Sequence, residues 1–491
     1  MKVLEDLVAP AFVADLVSRF ITFLISRYRD RACFEDTTLK LELLALKIHA
    51  VIEEAEHRHV AGNRSLLVWL KKLMEGMYQA YYVLDNALHP QDDQYANSVV
   101  TSGRSLSLSR FSCPAKRPHT VTTNSSVQNN GSIEQLCATL AFLEDSAANM
   151  RDLILLLACC PAIPRQPVSN FQTDGKHMFG RLVEREQIIS FLMQPGNNLG
   201  ILPIVGSPDA GKCTIVKYVC NDERVRNCFD MILYSYGSIL QVNLTEDVLE
   251  TVISCGHVLH QTSVSGCKKH LIVIKNTHEV VIDNLAWATL CATLRSMTSG
   301  SKIIIISENN IRDLGTIGAL RIKPLPQEEY WYFFRSLAFG SSNPEEHPNL
   351  AVVARQIAGA LNCSFFGAKV LGRLLRANLD KQFWHTVLDT VYRFHSMMQR
   401  DKHFTKLSIA RVALKVLPVP LRLKSASQTG EASELPGFTV EELLDGSVLA
   451  AEKEMEVVLW ESAYQPSYRY TVVCERVEKP LCTVTKRRKQ K

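Results

Sequence analysis

The sequence predicts a multidomain α plus α/β protein: a helical bundle, a parallel sheet layered by helices, a helical region and a small α+β region. Three observations predict it. Apolar residues recur at helical spacing up to residue 157, and short apolar runs alternate with helical segments between residues 199 and 306. The third is Gly206-Ser-Pro-Asp-Ala-Gly211-Lys212-Cys213-Thr214, which stands between an apolar run and a helical segment, the context a phosphate-binding loop requires.

The first region is helical throughout its patterned parts. Leu4, Val8, Phe12, Leu16, Phe20 and Leu24 recur every four residues, and Asp15 and Arg19 interrupt the run. That pattern fits an amphipathic helix and excludes a secretory signal or membrane span there. A second helix covers Leu39 to Ile52, and Leu66, Leu70, Leu73, Met77, Tyr81 and Leu84 mark one face of a third. Residues 91–131, rich in Ser, Thr and Asn with Lys116-Arg117, read as a flexible exposed loop. Helical spacing resumes from Ile133 to Leu157, and Pro161, Pro164 and Pro167 open a linker at 161–175. Residues 1–160 therefore read as a four-helix bundle with an insertion. His57 and His59 read as solvated, and Tyr81 and Tyr82 as helix packing.

Residues 176–322 carry the strand-helix alternation. Leu199 to Val205, Met231 to Tyr234, His270 to Ile274 and Lys302 to Ile306 read as strands of a parallel sheet covered on both faces. A helix from Glu184 to Met193 precedes the loop, and Ile215 to Cys220 opens another after it. The loop glycines let backbone N–H groups curl around phosphate oxygens, and Lys212 would reach the outer phosphates. Cys213 stands where a hydroxyl normally ligates Mg²⁺, and a thiol is a poor partner for a hard cation. Asp209 brings a negative charge to the same loop. Arg181 has a plain alternative role, pairing with Glu184 on the surface.

The last 90 residues carry less pattern. Arg411 to Leu423 alternates weakly, Ser425 to Leu435 reads as a polar turn, and Phe438 to Leu449 as a short helix. Glu456 to Trp460 and Tyr468 to Cys474 read as strands of a hairpin. The basic cluster at 486–491 suits nuclear entry, contact with anionic lipid, or simple solvation.

Composition narrows the setting. A hydrophobic content of 46% with 21% charged residues describes a folded chain. A formal charge of +5 over 491 residues makes no case for nucleic acid. The 14 cysteines include no Cys-x-x-Cys pair, which favours reduced thiols in the cytoplasm or nucleus over disulfides or zinc.

The chain resembles plant NB-ARC disease-resistance proteins. Residues 1–160 are similar to the Rx-type coiled-coil domain, and Phe179 to Phe394 to the NB-ARC module, a nucleotide switch of the STAND class. The matching residues are Gly180-Arg181, the phosphate loop, Asn221 to Phe229, Gly300 to Ile306, Leu325 to Phe334 and Ile357 to Lys369. The resemblance implies a P-loop NTPase domain at 176–322, a helical ARC-like domain at 323–400 and a C-terminal α+β region at 401–491. It implies ADP or ATP held by Gly206, Asp209, Ala210, Gly211, Lys212, Cys213 and Thr214, with adenine near Phe179, Gly180 and Arg181.

Departures from the family are specific. Lys275-Asn276 stands where two aspartates normally end the Walker B strand. Ser307-Glu308 stands where the family carries an arginine near the terminal phosphate. Phe365-Phe366 replaces the proline turn, and the acidic motif of the third helix is reduced to Asp85. No Met-His-Asp motif or leucine-rich repeat is recognisable. Hydrolysis needs metal, carboxylate and a charge-stabilising cation together. The expectation is an ADP/ATP-binding, degenerate nucleotide switch of plant immunity that acts with a partner, at most a very slow ATPase, with Mg²⁺ poorly provided for. The alternative is an adaptor or decoy that binds no nucleotide and pairs through its coiled-coil domain with full-length receptors. Self-association through those helices is equally compatible. An active ATPase or kinase of another kind is disfavoured by Lys275 and Asn276.

Overall fold

The computed structural model describes residues 34–56, 58, 60, 63–88, 125–161, 179–196, 198–237, 248–262, 269–276, 284–297, 300–308, 315–397, 405–429, 435–445, 453–462, 464 and 469–477. The chain divides into two compact units, one built mainly of residues before 164 and one of those after.

The first unit contains α1 (residues 34–56), most of α2 (Arg64–Leu88), α3 (Ser125–Ala147) and α4 (Met150–Ala158). Leu41, Ala45, Ile48 and Ile52 form a buried stripe on α1, and Leu70, Leu73, Met77 and Leu84 one on α2. Gly76 lets α2 and α3 approach closely, since a Cβ there would stand 2.6 Å from the Leu143 side chain. Arg58 donates from Nη1 to the carbonyls of Leu157 and Cys160 at 3.0 and 3.1 Å, occupying acceptors that the end of α4 leaves open. The helix expected over residues 4–24 lies outside the described residues, as do residues 91–124 of the expected loop. Ser125 to Gly131, assigned to that loop, is the start of α3 instead. Ser and Asn cost a helix only a few tenths of a kcal/mol each, so a helix anchored by the buried Leu136, Thr139 and Leu143 can extend backwards through them. The single helix expected from Ile133 to Leu157 breaks at a turn over Ala148-Asn149.

The second unit begins with α5 (Leu182–Met193), β1 (Gly200–Gly206), α6 (Lys212–Cys220), α7 (Glu223–Cys228), β2 (Met231–Tyr236), α8 (Val248–Cys255) and β3 (His257–Gln261). It continues with β4 (His270–Lys275), α9 (Asn284–Met297), β5 (Lys302–Ser307) and β6 (Leu320–Ile322). The strand order is β3-β2-β4-β5-β1-β6. Side chains alternate between two cores. Leu202, Ile204, Ile304 and Ile306 pack with Ile188, Ile215 and Val219, while Ile201, Ile303 and Ile305 pack with Trp287, Leu290 and Leu294. Burial on both faces is why these strands read as continuous apolar runs. The sheet is not wholly parallel, however. β3 pairs antiparallel with β2 at the edge, where a short, mostly exposed strand needs no second apolar face.

A buried ion network fixes α5 to α7. Glu186, fully buried, accepts from both terminal nitrogens of Arg224 at 3.0 Å and from Arg185 Nε at 3.0 Å. Arg224 also holds Asp222 at 2.8 Å. Burial alone would raise the Asp222 carboxyl; the hydrogen bonds and charge of Arg224 override it and hold the group below the usual range.

Five helices follow: α10 (Gln327–Phe339), α11 (Pro348–Ala360), α12 (Phe365–Ala377), α13 (Lys381–Met397) and α14 (Lys406–Val416). The chain ends in β7 (Leu421–Thr429), β8 (Gly437–Thr439), α15 (Val440–Leu444), β9 (Glu454–Glu461) and β10 (Arg469–Arg476). The second sheet has the order β7-β10-β9-β8, with β9 and β10 antiparallel neighbours. Ser425 to Thr429, expected as a turn, is strand, because its partner β10 supplies the backbone hydrogen bonds that its own polar side chains gave no hint of. No helix among the described residues is long and apolar enough to cross a membrane.

Candidate functional site

The order of strands reverses around β1, which runs parallel to both its neighbours: the chain leaves β1 for β2 on one side, and later leaves β5 for β6 on the other. In open α/β sheets, ligands bind outside the strand carboxyl ends at such a point. The Gly206–Thr214 loop lies there. Gly206 admits no side chain, since a Cβ would sit 2.3 Å from the Ile322 carbonyl oxygen. Gly211 has φ +84° and begins α6 without a side-chain cap, so the first-turn N–H groups have no such acceptor. Asp209 adopts φ 58°, a conformation that Asp tolerates better than most residues.

Lys212 is 6% exposed. Its Nζ donates back to the carbonyls of Gly206 and Ser207 at 2.9 and 2.7 Å. Burial lowers its pKa, with Lys275 adding to the effect, while Glu308, Cys213 and Asp209 oppose it. An anion in the loop would reverse that balance.

A cavity of about 150 Å³ opens beside the loop. One wall is Asp209, Gly211, Lys212, Cys213 and Thr214; another is Lys275 at the end of β4 and Asn276 after it, with Glu308 after β5. The remaining side comes from far along the chain: Phe365, Phe366 and Lys369 of α12, Lys406 of α14 and Trp460 of β9. Lys406 Nζ lies 3.8 Å from Asp209 Oδ1. Aromatic rings sit under three ammonium groups: Tyr236 under Lys275 at 5.6 Å, Trp460 under Lys369 at 5.6 Å, and Phe366 and Tyr470 under Lys406, each at 5.9 Å. Lys369, Lys406 and Trp460 carry no local sequence signal; only the fold brings them here.

Phe179, Gly180 and Arg181 do not line this cavity. Arg181 is buried, and not a surface partner of Glu184 alone. Its Nη2 donates to the carbonyls of Ala210 and Lys323 at 3.2 and 2.6 Å, tying the start of α5 to the loop. Phe179 stacks on Tyr332 at 5.9 Å and lies 5.4 Å from Phe333, which in turn meets Phe365. Gly180 has φ +66° and faces Glu329 and Leu325.

Two family models match the chain. Residues 12–112 match the Rx N-terminal domain, and residues 183–343 match the NB-ARC domain. The chain carries an Rx N-terminal domain and an NB-ARC domain. It is similar to the disease resistance proteins RGA2 and RGA1 of Solanum bulbocastanum, at 24% identity over 397 residues and 23% over 399. Each match takes in 78% of this chain, yet the chain spans only 39% and 38% of those relatives' lengths. Among solved structures it is similar to domain III of the Thermotoga maritima replication initiation protein DnaA, at 13% identity, 48% of this chain, 90% of that chain and a TM-score of 0.26.

The NB-ARC site fits a phosphate chain and fits Mg²⁺ poorly. Backbone N–H groups, the open helix start and Lys212 provide for phosphate. For the metal there is a thiol at Cys213 and a cation at Lys275. Among the described residues no three His, Cys, Asp or Glu side chains come together as a metal site. Phe365 at the start of α12 leans over the loop, with a ring carbon 3.6 Å from where a Gly211 Cβ would stand.

Proposed function

We propose that this NB-ARC protein holds ADP or ATP through residues 206–214, hydrolyses it slowly or not at all, and serves plant disease resistance with a protein partner engaged by its N-terminal helices. The observation that carries the reading is Lys212, buried above a loop whose glycines and uncapped helix start leave room for phosphate. On binding, the ammonium exchanges the two loop carbonyls for phosphate oxygens, and the first-turn amides of α6 supply the remaining donors. Phe179, Gly180 and Arg181 stand outside the cavity, on the far side of the loop where the base would extend, and Arg181 keeps the loop in shape through the Ala210 carbonyl. The ligand supplies the difference between two conformational states; the chain supplies recognition. The protein works in the cytoplasm, or in the nucleus through its basic 486–491 cluster, where the free thiols of Cys220, Cys291 and Cys474 stay reduced.

One observation favours the adaptor reading. Lys212 satisfies itself on its own loop, and Lys406 neutralises Asp209, so the loop has internal partners without a nucleotide. Thermal unfolding with added ADP separates the two. Saturating ADP raises the melting temperature of the nucleotide-binding form by about 5 °C or more, and Lys212→Ala removes the rise. An unchanged melting temperature in the wild-type protein supports the adaptor.

A further inference from the structure

We propose that the phosphate groups are held without a divalent metal, with the Lys275 ammonium at the end of β4 taking the metal's place and Lys369 and Lys406 closing the same cavity. This inference rests on the nucleotide reading above. Four lysines and two carboxylates border the cavity, and one of the carboxylates, Asp209, lies beside Lys406. The surplus is positive. A Mg²⁺ ion at this wall would meet the Lys275 cation beside the single carboxylate of Glu308, and the loop offers the Cys213 thiol where a hydroxyl ligand would stand.

The lysines come from β4, α12 and α14 as well as from the loop itself. The rings beneath Lys275, Lys369 and Lys406, at 5.6, 5.6 and 5.9 Å, hold their ammonium groups near the cavity. A compact ammonium contacts phosphate as a point charge, which is the part a metal ion plays between two phosphate groups. The cavity, of about 150 Å³, has room for a diphosphate group.

The test is calorimetric titration of the full chain with ADP, in excess EDTA and again in excess Mg²⁺, with inorganic pyrophosphate as a competitor. The wild-type affinity is expected to agree within about threefold between the two conditions, with pyrophosphate displacing ADP. Lys275→Asp should lose about tenfold or more in EDTA and recover part of it in Mg²⁺. Lys406→Gln, a milder change at the cavity edge, should weaken binding in EDTA by about threefold and provides the check if the first variant unfolds. Wild-type binding that requires Mg²⁺ overturns the inference and leaves the nucleotide reading standing. No ADP binding in either condition by a cooperatively folded protein overturns both.

Discussion

Two walls of one cavity have followed different constraints. The loop after β1 keeps what phosphate needs: Gly206 against Ile322, Gly211 at φ +84°, an uncapped α6 and a buried Lys212. The wall formed by the ends of β4 and β5 has Lys275 and Glu308 where metal and terminal-phosphate chemistry belongs. The loop's features are backbone conformations and close packing, which cannot change without disturbing β1 and α6. Those of the opposite wall are side-chain tips on strands whose cores, Ile272 to Ile274 and Ile303 to Ile306, are intact. The features that suit phosphate are thus written into the backbone, whereas those that would serve hydrolysis rest on substitutable side-chain tips.

The comparison predicts that damage beneath the loop costs stability and damage opposite it changes ligand preference. Glu186→Gln should be the most severe, destabilising the protein by about 3 kcal/mol in denaturant unfolding, because Arg224 and Arg185 lose a buried partner. Lys212→Ala should weaken ADP about a hundredfold, near 2.7 kcal/mol by titration, with little change in unfolding. Lys217 offers a stabilising counterpart. Burial pushes its pKa down to about 8, and its Nζ has Ser462 Oγ at 3.5 Å. The unfolded chain therefore binds more protons than the folded one from about pH 8 up to its free value of about 10.4, so stability rises with pH across that window. Lys217→Met should add about 2 kcal/mol at pH 7 and flatten that rise. Smallest of these, Glu308→Gln should improve ATP binding by about threefold relative to ADP, since one carboxylate no longer opposes the third phosphate.

Much of the second unit was legible in the sequence because its strands are buried on both faces. β1, β2, β4 and β5 appear as apolar runs, and the loop announces itself by glycine and lysine spacing. β3 was not legible, since His257, His260 and Gln261 show no apolar period at an exposed edge. β6 spans three residues and offers no period at all. β7 is polar along Lys424 to Gln428, and only its pairing with β10 makes it a strand. The same limit applies to the site. Lys275, Glu308 and Phe365 stood out against the family pattern, whereas Lys369, Lys406 and Trp460 reach the cavity through tertiary packing alone. Arg181 was visible as a candidate, but its hold on the Ala210 carbonyl required the fold.

The most direct measurement is the nucleotide and magnesium content of gently purified protein, released by denaturation and quantified by chromatography and elemental analysis. The account predicts close to one ADP per chain with no stoichiometric magnesium, and loss of the ADP in Lys212→Ala. Equimolar magnesium accompanying the ADP would contradict the lysine-lined, metal-free cavity. A folded wild-type protein that carries no nucleotide and takes up none would contradict the nucleotide reading itself.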